Sequence, residues 1–207
     1  MGVVLCLRFH SRRAWGNICM RQSRNRGFSL LELVIVVAIT LVVAAVAIPR
    51  IMGSLYNIRL RSGISSLSGL IQTGRMWSVK QNRTYQIHFT TAGSSALAYV
   101  DLNADNNPQA TEPQVQLGGT IVKSSTLSGG PTALDATILG WTPTGGTADP
   151  AFNPRGIPCA AGGSCPAGLV YYFTDNRPTG LNGWAAVSVS PAGRVKTWIW
   201  TGSTWGD

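Results

Sequence analysis

Near the C-terminus, Arg194-Val195-Lys196-Thr197-Trp198-Ile199-Trp200 places a cation or an indole at every second position. In an extended strand such positions share one face. Arg194, Lys196, Trp198 and Trp200 then point one way, and Val195, Thr197 and Ile199 the other. Two cations beside two indoles suit a nucleic-acid backbone with exposed bases. Gly193, just ahead, leaves room for a phosphate at the turn, and Arg155 and Arg177 are candidates to extend the patch. The alternative is an edge strand guarded by charge, its indoles covered by arginine stems.

A second set is acidic. Asp101, Asn103 and Asp105 offer oxygens at alternate positions, and Glu112 stands at the twelfth place, which approximates an EF-hand calcium loop. Asn106 takes the sixth place, where that loop needs glycine, and Pro108 stiffens it. Asx turns explain the same composition without metal. Calcium here is thus the alternative to a chain with no cofactor. His88 stands alone on the polar face of an expected strand, with no serine or cysteine nucleophile to serve. These residues imply a protein that is not an enzyme. Cys159 and Cys165, in CAAGGSC, read as a disulfide closing a small loop in an exported domain. Zinc would need further cysteine or histidine ligands nearby, and there are none.

The third set lies in RGFSLLELVIVVAITLVVAAVAIP, residues 26–49. From Phe28 to Ile48 only Ser29, Glu32 and Thr40 interrupt the apolar run. Its length as a helix, roughly 30 Å, matches a bilayer's hydrocarbon core. Arg21, Arg24 and Arg26 precede it, an asymmetry that keeps the N-terminus in the cytoplasm and sends the rest across. A carboxylate inside such a span costs roughly 2.5–3.5 kcal/mol, so Glu32 calls for a partner or a function.

This segment resembles the class III signal of type IV pilins and type II secretion pseudopilins. The resemblance implies that a prepilin peptidase cuts between Gly27 and Phe28 and that Phe28 becomes N-methylated. Glu32 matches the glutamate at the fifth mature position, and Pro49 the proline that often ends the first apolar stretch. Cleavage would free the amine of Phe28 as a cation to pair with a Glu32, setting helix register in a filament. The competing readings are an ordinary signal anchor and a secretory signal peptide, the latter having a shorter core and a small-x-small cleavage site. Met20 reads as the true start, giving the leader MRQSRNRG, with a long leader from Met1 as the alternative.

Charge follows the same division. The formal net charge is +9, but six arginines precede Gly27 and all eight acidic residues follow it. The chain from Phe28 carries eleven basic and eight acidic side chains, a net of +3. The high pI is therefore weak evidence for nucleic-acid binding.

The elements that must position these sets can be read in order. Beyond Pro49, Leu60, Ile64, Leu67 and Ile71 form one apolar helical stripe, and the helix is expected to end near Asn82. Gly53, Gly63, Gly69 and Gly74 weaken it by about 1 kcal/mol each, in exchange for close packing or local melting. Strands are expected at Thr84–Thr90, with Tyr85, Ile87 and Phe89 on one face, and at Ala96–Asp101, joined by a turn at Ala92-Gly93-Ser94. Further strands are expected at Gln114–Lys123, interrupted by Gly118 and Gly119, at Ala136–Trp141 and at Leu169–Thr174, with a long disulfide-tied loop from Thr142 to Ala167. A closing hairpin pairs Trp184–Ser190 with Arg194–Trp200.

The expected fold is α+β: a long N-terminal helix, its first half transmembrane, packed on a C-terminal antiparallel β-sheet domain. The divisions are 1–27 leader, 28–48 transmembrane or filament-core helix, 49–82 amphipathic half and 83–207 β-rich domain. The order of motifs resembles the GspH/FimT type of minor pilin or pseudopilin. That resemblance implies a single pass in the inner membrane, a periplasmic C-terminal domain, and other pilins or pseudopilins as filament partners. FimT-type pilins that bind DNA carry a C-terminal G-R-x-R motif, matched here by Gly193, Arg194 and Lys196, with lysine in place of the second arginine. Lysine keeps the charge and loses the bidentate fork. DNA is thus an expected partner. A GspH-like secretion pseudopilin, or a calcium-binding or adhesive module on a pilin anchor, are the alternatives.

Overall fold

The computed structural model describes residues 5–11, 14–20, 28–92, 95–144, 149–160, 163–177 and 182–207. Gly27 with Arg21, Arg24 and Arg26 ahead of it, the expected turn residues Gly93 and Ser94, and Gly162 of the cysteine loop lie outside the described residues. The chain divides into two compact units, Met1–Pro49 and Arg50–Asp207.

In the first unit, β1 (Leu5–Ser11) and β2 (Ala14–Met20) pair antiparallel, with Leu5 opposite Met20. They fall in the segment expected to be leader. Helix α1 (Leu30–Gln81) begins in this unit. Ser29 caps it: its Oγ accepts from the Glu32 amide at 3.2 Å, and its carbonyl accepts from Leu33 at 3.1 Å. Ser29-x-x-Glu32 is a capping-box pattern that the sequence reading passed over. Thr40 returns its hydroxyl to the Val37 carbonyl at 2.9 Å, so this polar group inside the apolar run is satisfied. The helix passes through Pro49 and ends where expected. Asn82 turns left-handed (φ 52°), and the amides of Asn82 and Arg83 fold back onto the carbonyls of Val79 and Ser78.

The second unit joins the rest of α1 to two five-stranded sheets. One contains β3 (Tyr85–Ala92), β4 (Ser95–Asp101), β5 (Gln114–Gln116), β7 (Ala151–Phe152) and β8 (Pro158–Cys159), in the order β5-β4-β3-β7-β8. The other contains β6 (Ile121–Ser124), β9 (Leu169–Asp175), β10 (Gly183–Val189), β11 (Val195–Trp200) and β12 (Trp205–Gly206), in the order β12-β11-β10-β9-β6. All pairings are antiparallel. The stripe Leu60, Ile64, Leu67 and Ile71 is buried against Ile87, Ala98 and Val100 of one sheet and Tyr171, Phe173, Ala185 and Val187 of the other. This is the α+β, pilin-like layout expected: a long helix whose second half covers antiparallel sheets.

Three local expectations need correction. Gln114–Lys123 is two strands in different sheets, because the chain breaks at Gly118-Gly119, where Gly119 is left-handed (φ 72°). Ala136–Trp141 is not a strand. Asp135 caps the amides of Thr137 and Ile138 at 3.0 and 3.1 Å, and left-handed Gly140 stops the turn, giving α2 (Ala136–Leu139). The segment 142–167 is not all loop, since β7 and β8 within it extend a sheet and the Cys159–Cys165 disulfide closes just after them.

Candidate functional site

The helix start and the closing hairpin carry the two candidate sites. At the helix start Phe28 is 77% exposed, Glu32 lies in the first turn, and the large apolar side chains from Leu30 to Ile48 are exposed. The helix is long and apolar enough to cross a membrane. A protein has no reason to show water so continuous an apolar surface unless lipid or other chains cover it.

The hairpin turns at 191–193. The Gly193 amide donates to the Ser190 carbonyl at 2.7 Å, and the Arg194 amide to Ser190 Oγ at 3.0 Å. Gly193 is left-handed (φ 81°), and a Cβ there would stand 2.9 Å from both Arg75 Cζ and the Gly156 carbonyl oxygen. The space beside this glycine is therefore filled, not held open for a phosphate as expected. What fills it is the Arg75 guanidinium, which reaches from α1 and donates to the carbonyls of Gly156 (2.9 Å), Gly193 (2.9 Å) and Ala192 (3.4 Å). Sequence reasoning missed Arg75 as the clasp. Its position off the apolar stripe was legible, but its acceptors lie 81 to 118 residues away.

The alternation in β11 is as expected, with a different consequence. Arg194, Lys196, Trp198 and Trp200 do share a face, but it is not an open platform. The 131–141 segment folds over it, and Trp198, only 6% exposed, packs in a second cluster with Leu134, Val170 and Ala186. Its indole N–H donates to Ser188 Oγ at 2.9 Å. Trp198 thus serves as a floor and not as an exposed stacking surface. Lys196 stands 4.0 Å over that ring and pairs with the Asp207 side chain at 2.8 Å. The hydrogen bond from Lys196 holds the Asp207 carboxyl below the usual carboxylate range. Trp200 is half-buried, edge-on to Trp205 at 5.5 Å. Arg194 is exposed.

Arg177 does not extend the patch. It binds Asp175 at 3.0 Å and Asn57 of α1 at 2.9 Å. Arg155 is exposed beside Gly156.

Two hollows flank the hairpin. One, of about 710 Å³, is lined by Met76, Val79, Lys80 and Arg194 among others; the other, of about 300 Å³, by Ile138, Trp141, Arg194, Lys196 and Trp198 among others. Together their linings carry four cations, Arg75, Lys80, Arg194 and Lys196, and no carboxylate.

The acidic set turns inward on its own backbone. Asp101 accepts from the amides of Asn103, Ala104 and Asn106, and Glu112 from those of Leu102 and Gln109. Asp105 accepts from Asn107, whose amide is the main cause of its lowered pKa, and from the side chains of Asn103 and Gln109. These are stacked Asx turns, with Ala104 and Asn106 left-handed. Among the described residues no three histidine, cysteine, aspartate or glutamate side chains gather as a metal site. His88 is not alone. Its Nδ1 meets Asp149 at 3.0 Å and its Nε2 lies 3.5 Å from Asp101, while Asp149 also holds Lys123 at 3.0 Å. Sequence reading missed this because Asp149 is 61 residues away.

A family model, the prokaryotic N-terminal methylation motif, matches residues 22–48. The match supports a type IV pilin-like protein. Such a motif implies processing by a prepilin peptidase and assembly with other pilins, and together with the apolar helix it points to membrane anchoring. It stops at Ile48 and so does not bear on the β-rich part. No curated protein and no solved structure matches the chain.

Proposed function

We propose that this chain is a minor pilin of the GspH/FimT type that is cleaved between Gly27 and Phe28, anchors in the inner membrane with its β-rich part in the periplasm, and joins a type IV pilus. The observation that carries this is the methylation motif at 22–48, set on a capped helix whose apolar side chains are exposed. A buried ion pair between the Phe28 amine and a Glu32 would fix axial register between such helices. Mass spectrometry of the membrane or filament fraction tests it. The expected N-terminus is N-methylated Phe28; an intact leader, or trimming elsewhere, refutes the assignment.

We further propose weak, sequence-independent DNA contact at the hairpin, which favours a pilus engaged in DNA uptake over a secretion pseudopilin. Its support is the run of Lys80, Arg75, Arg194 and Lys196 along two hollows without a carboxylate in their linings. Phosphate contact of this kind is strongly salt-dependent. In gel shifts, Arg194→Ala/Lys196→Ala should weaken binding and flatten its salt dependence. Equal affinity in both proteins removes the hairpin from DNA contact.

A further inference from the structure

The 300 Å³ hollow between α2 and the outer face of β11 has a division of chemistry that phosphate contact alone does not require. Ile138, Leu139 and Trp141 of its lining are apolar and come from the 131–141 segment; Arg194 and Lys196 are cationic and come from the hairpin, with Trp198, Ser188 and Ser190 beside them. We propose that this hollow holds one unpaired nucleotide, its base against the apolar wall and its phosphate on the cations. The proposal deepens the DNA-contact reading by naming single strands as the ligand.

Four observations converge on it. The first is an anion already in place, the Asp207 side chain on Lys196 at 2.8 Å. The second is an available donor: among the described residues the Arg194 guanidinium makes no hydrogen bond or salt bridge and feels only the nearby Asp207 charge, whereas those of Arg75 and Arg177 are held in clasps. The third is rigidity. Trp198 is pinned to Ser188, and the Trp141 ring lies so close on Gly168 that a Cβ there would come within 2.3 Å of it. Gly168 in turn exchanges hydrogen bonds with Thr144, so the walls are preformed. The fourth is size, since the hollow sits at the small end of ligand pockets, suited to a single ring system. A base stacked inside a duplex shows only its edges, so it cannot enter without leaving the stack. An unpaired base can, and base–aromatic stacking beside cations is the usual chemistry of single-strand binding.

The test is fluorescence anisotropy on the full chain in detergent, at several salt concentrations. The labelled probes are an oligothymidylate, an abasic strand of equal length, its duplex counterpart and a poly-glutamate peptide. The oligothymidylate should bind about tenfold more tightly than the abasic strand or the duplex, and Trp141→Leu should erase that difference. The abasic comparison uses the unaltered protein, so it stands even if the variant does not fold. Equal binding of all three nucleic-acid probes overturns the pocket and leaves DNA contact intact. A folded Trp141→Leu protein that keeps the difference also overturns it. Binding of none of them overturns both readings. Tightest binding of poly-glutamate overturns the nucleotide and assigns the hollow to acidic peptides.

Discussion

The two halves of α1 are built from similar apolar residues and meet opposite fates. Val43 is 61% exposed, while Leu67 is fully buried. Between Leu30 and Ile48 the large apolar residues lie all round the helix and are exposed, whereas from Leu60 to Ile71 they keep to a stripe that two sheets cover. A stripe is what one neighbouring surface can bury, while all-round apolarity demands lipid or several helices at once. The first half is thus written for a medium outside the protomer and the second for its own sheets.

Several substitutions would break or sharpen that contrast, read by urea denaturation of the full chain in detergent. Leu67→Ala should destabilise the β-rich unit by about 2–5 kcal/mol through transfer and cavity terms, while Val43→Ala should leave its midpoint unchanged. A matching loss from Val43→Ala would end the distinction. Arg75→Ala removes a charged donor from three carbonyls and should cost about 1.5–3 kcal/mol. Arg59→Ala, on the exposed side of the same helix, should stay within about 0.5 kcal/mol. Arg75→Lys should restore only part of the loss, since an ammonium cannot span the fork.

The glycines separate the halves on a finer scale. A Cβ at Gly53 meets nothing within 4 Å, so Gly53→Ala should stabilise by about 0.5–1 kcal/mol through the unfolded chain. At Gly74 the same atom would stand 3.0 Å from Ile87 Cδ1, and Gly74→Ala should gain less or reverse sign. The smallest effect is at the exposed Asp207. Its lowered pKa means that the latch to Lys196 is present at neutral pH and is lost as pH falls through that depressed value. NMR titration should show Asp207 ionising at lower pH than an ordinary aspartate, and Lys196→Ala should return it to the usual range.

Much of this molecule was legible in its sequence. The apolar run, the stripe at 60–71, the β3–β4 and β10–β11 hairpins and the inward set Tyr85, Ile87 and Phe89 all follow from local period, which the fold obeys. One strand expectation fails for a local reason. A strand is expected at Ala136–Trp141, but the cap at Asp135 and the stop at Gly140 decide a helical turn. The composition of Asp101–Asn107 also reads as Asx turns, and in the fold backbone amides of this loop donate to Asp101 and Glu112.

By itself the sequence determined which side chains share a face, where the long helix starts and stops, and where a processing signal lies, because each of these depends on residues within a few turns of one another. Only the tertiary structure decided what covers each face. Trp198 became a floor because 131–141 returns over it, and Gly193 closed because Arg75 arrives from 118 residues away. Periodicity fixes the direction of a side chain, but its partner is set by contacts between distant segments, which no local pattern records.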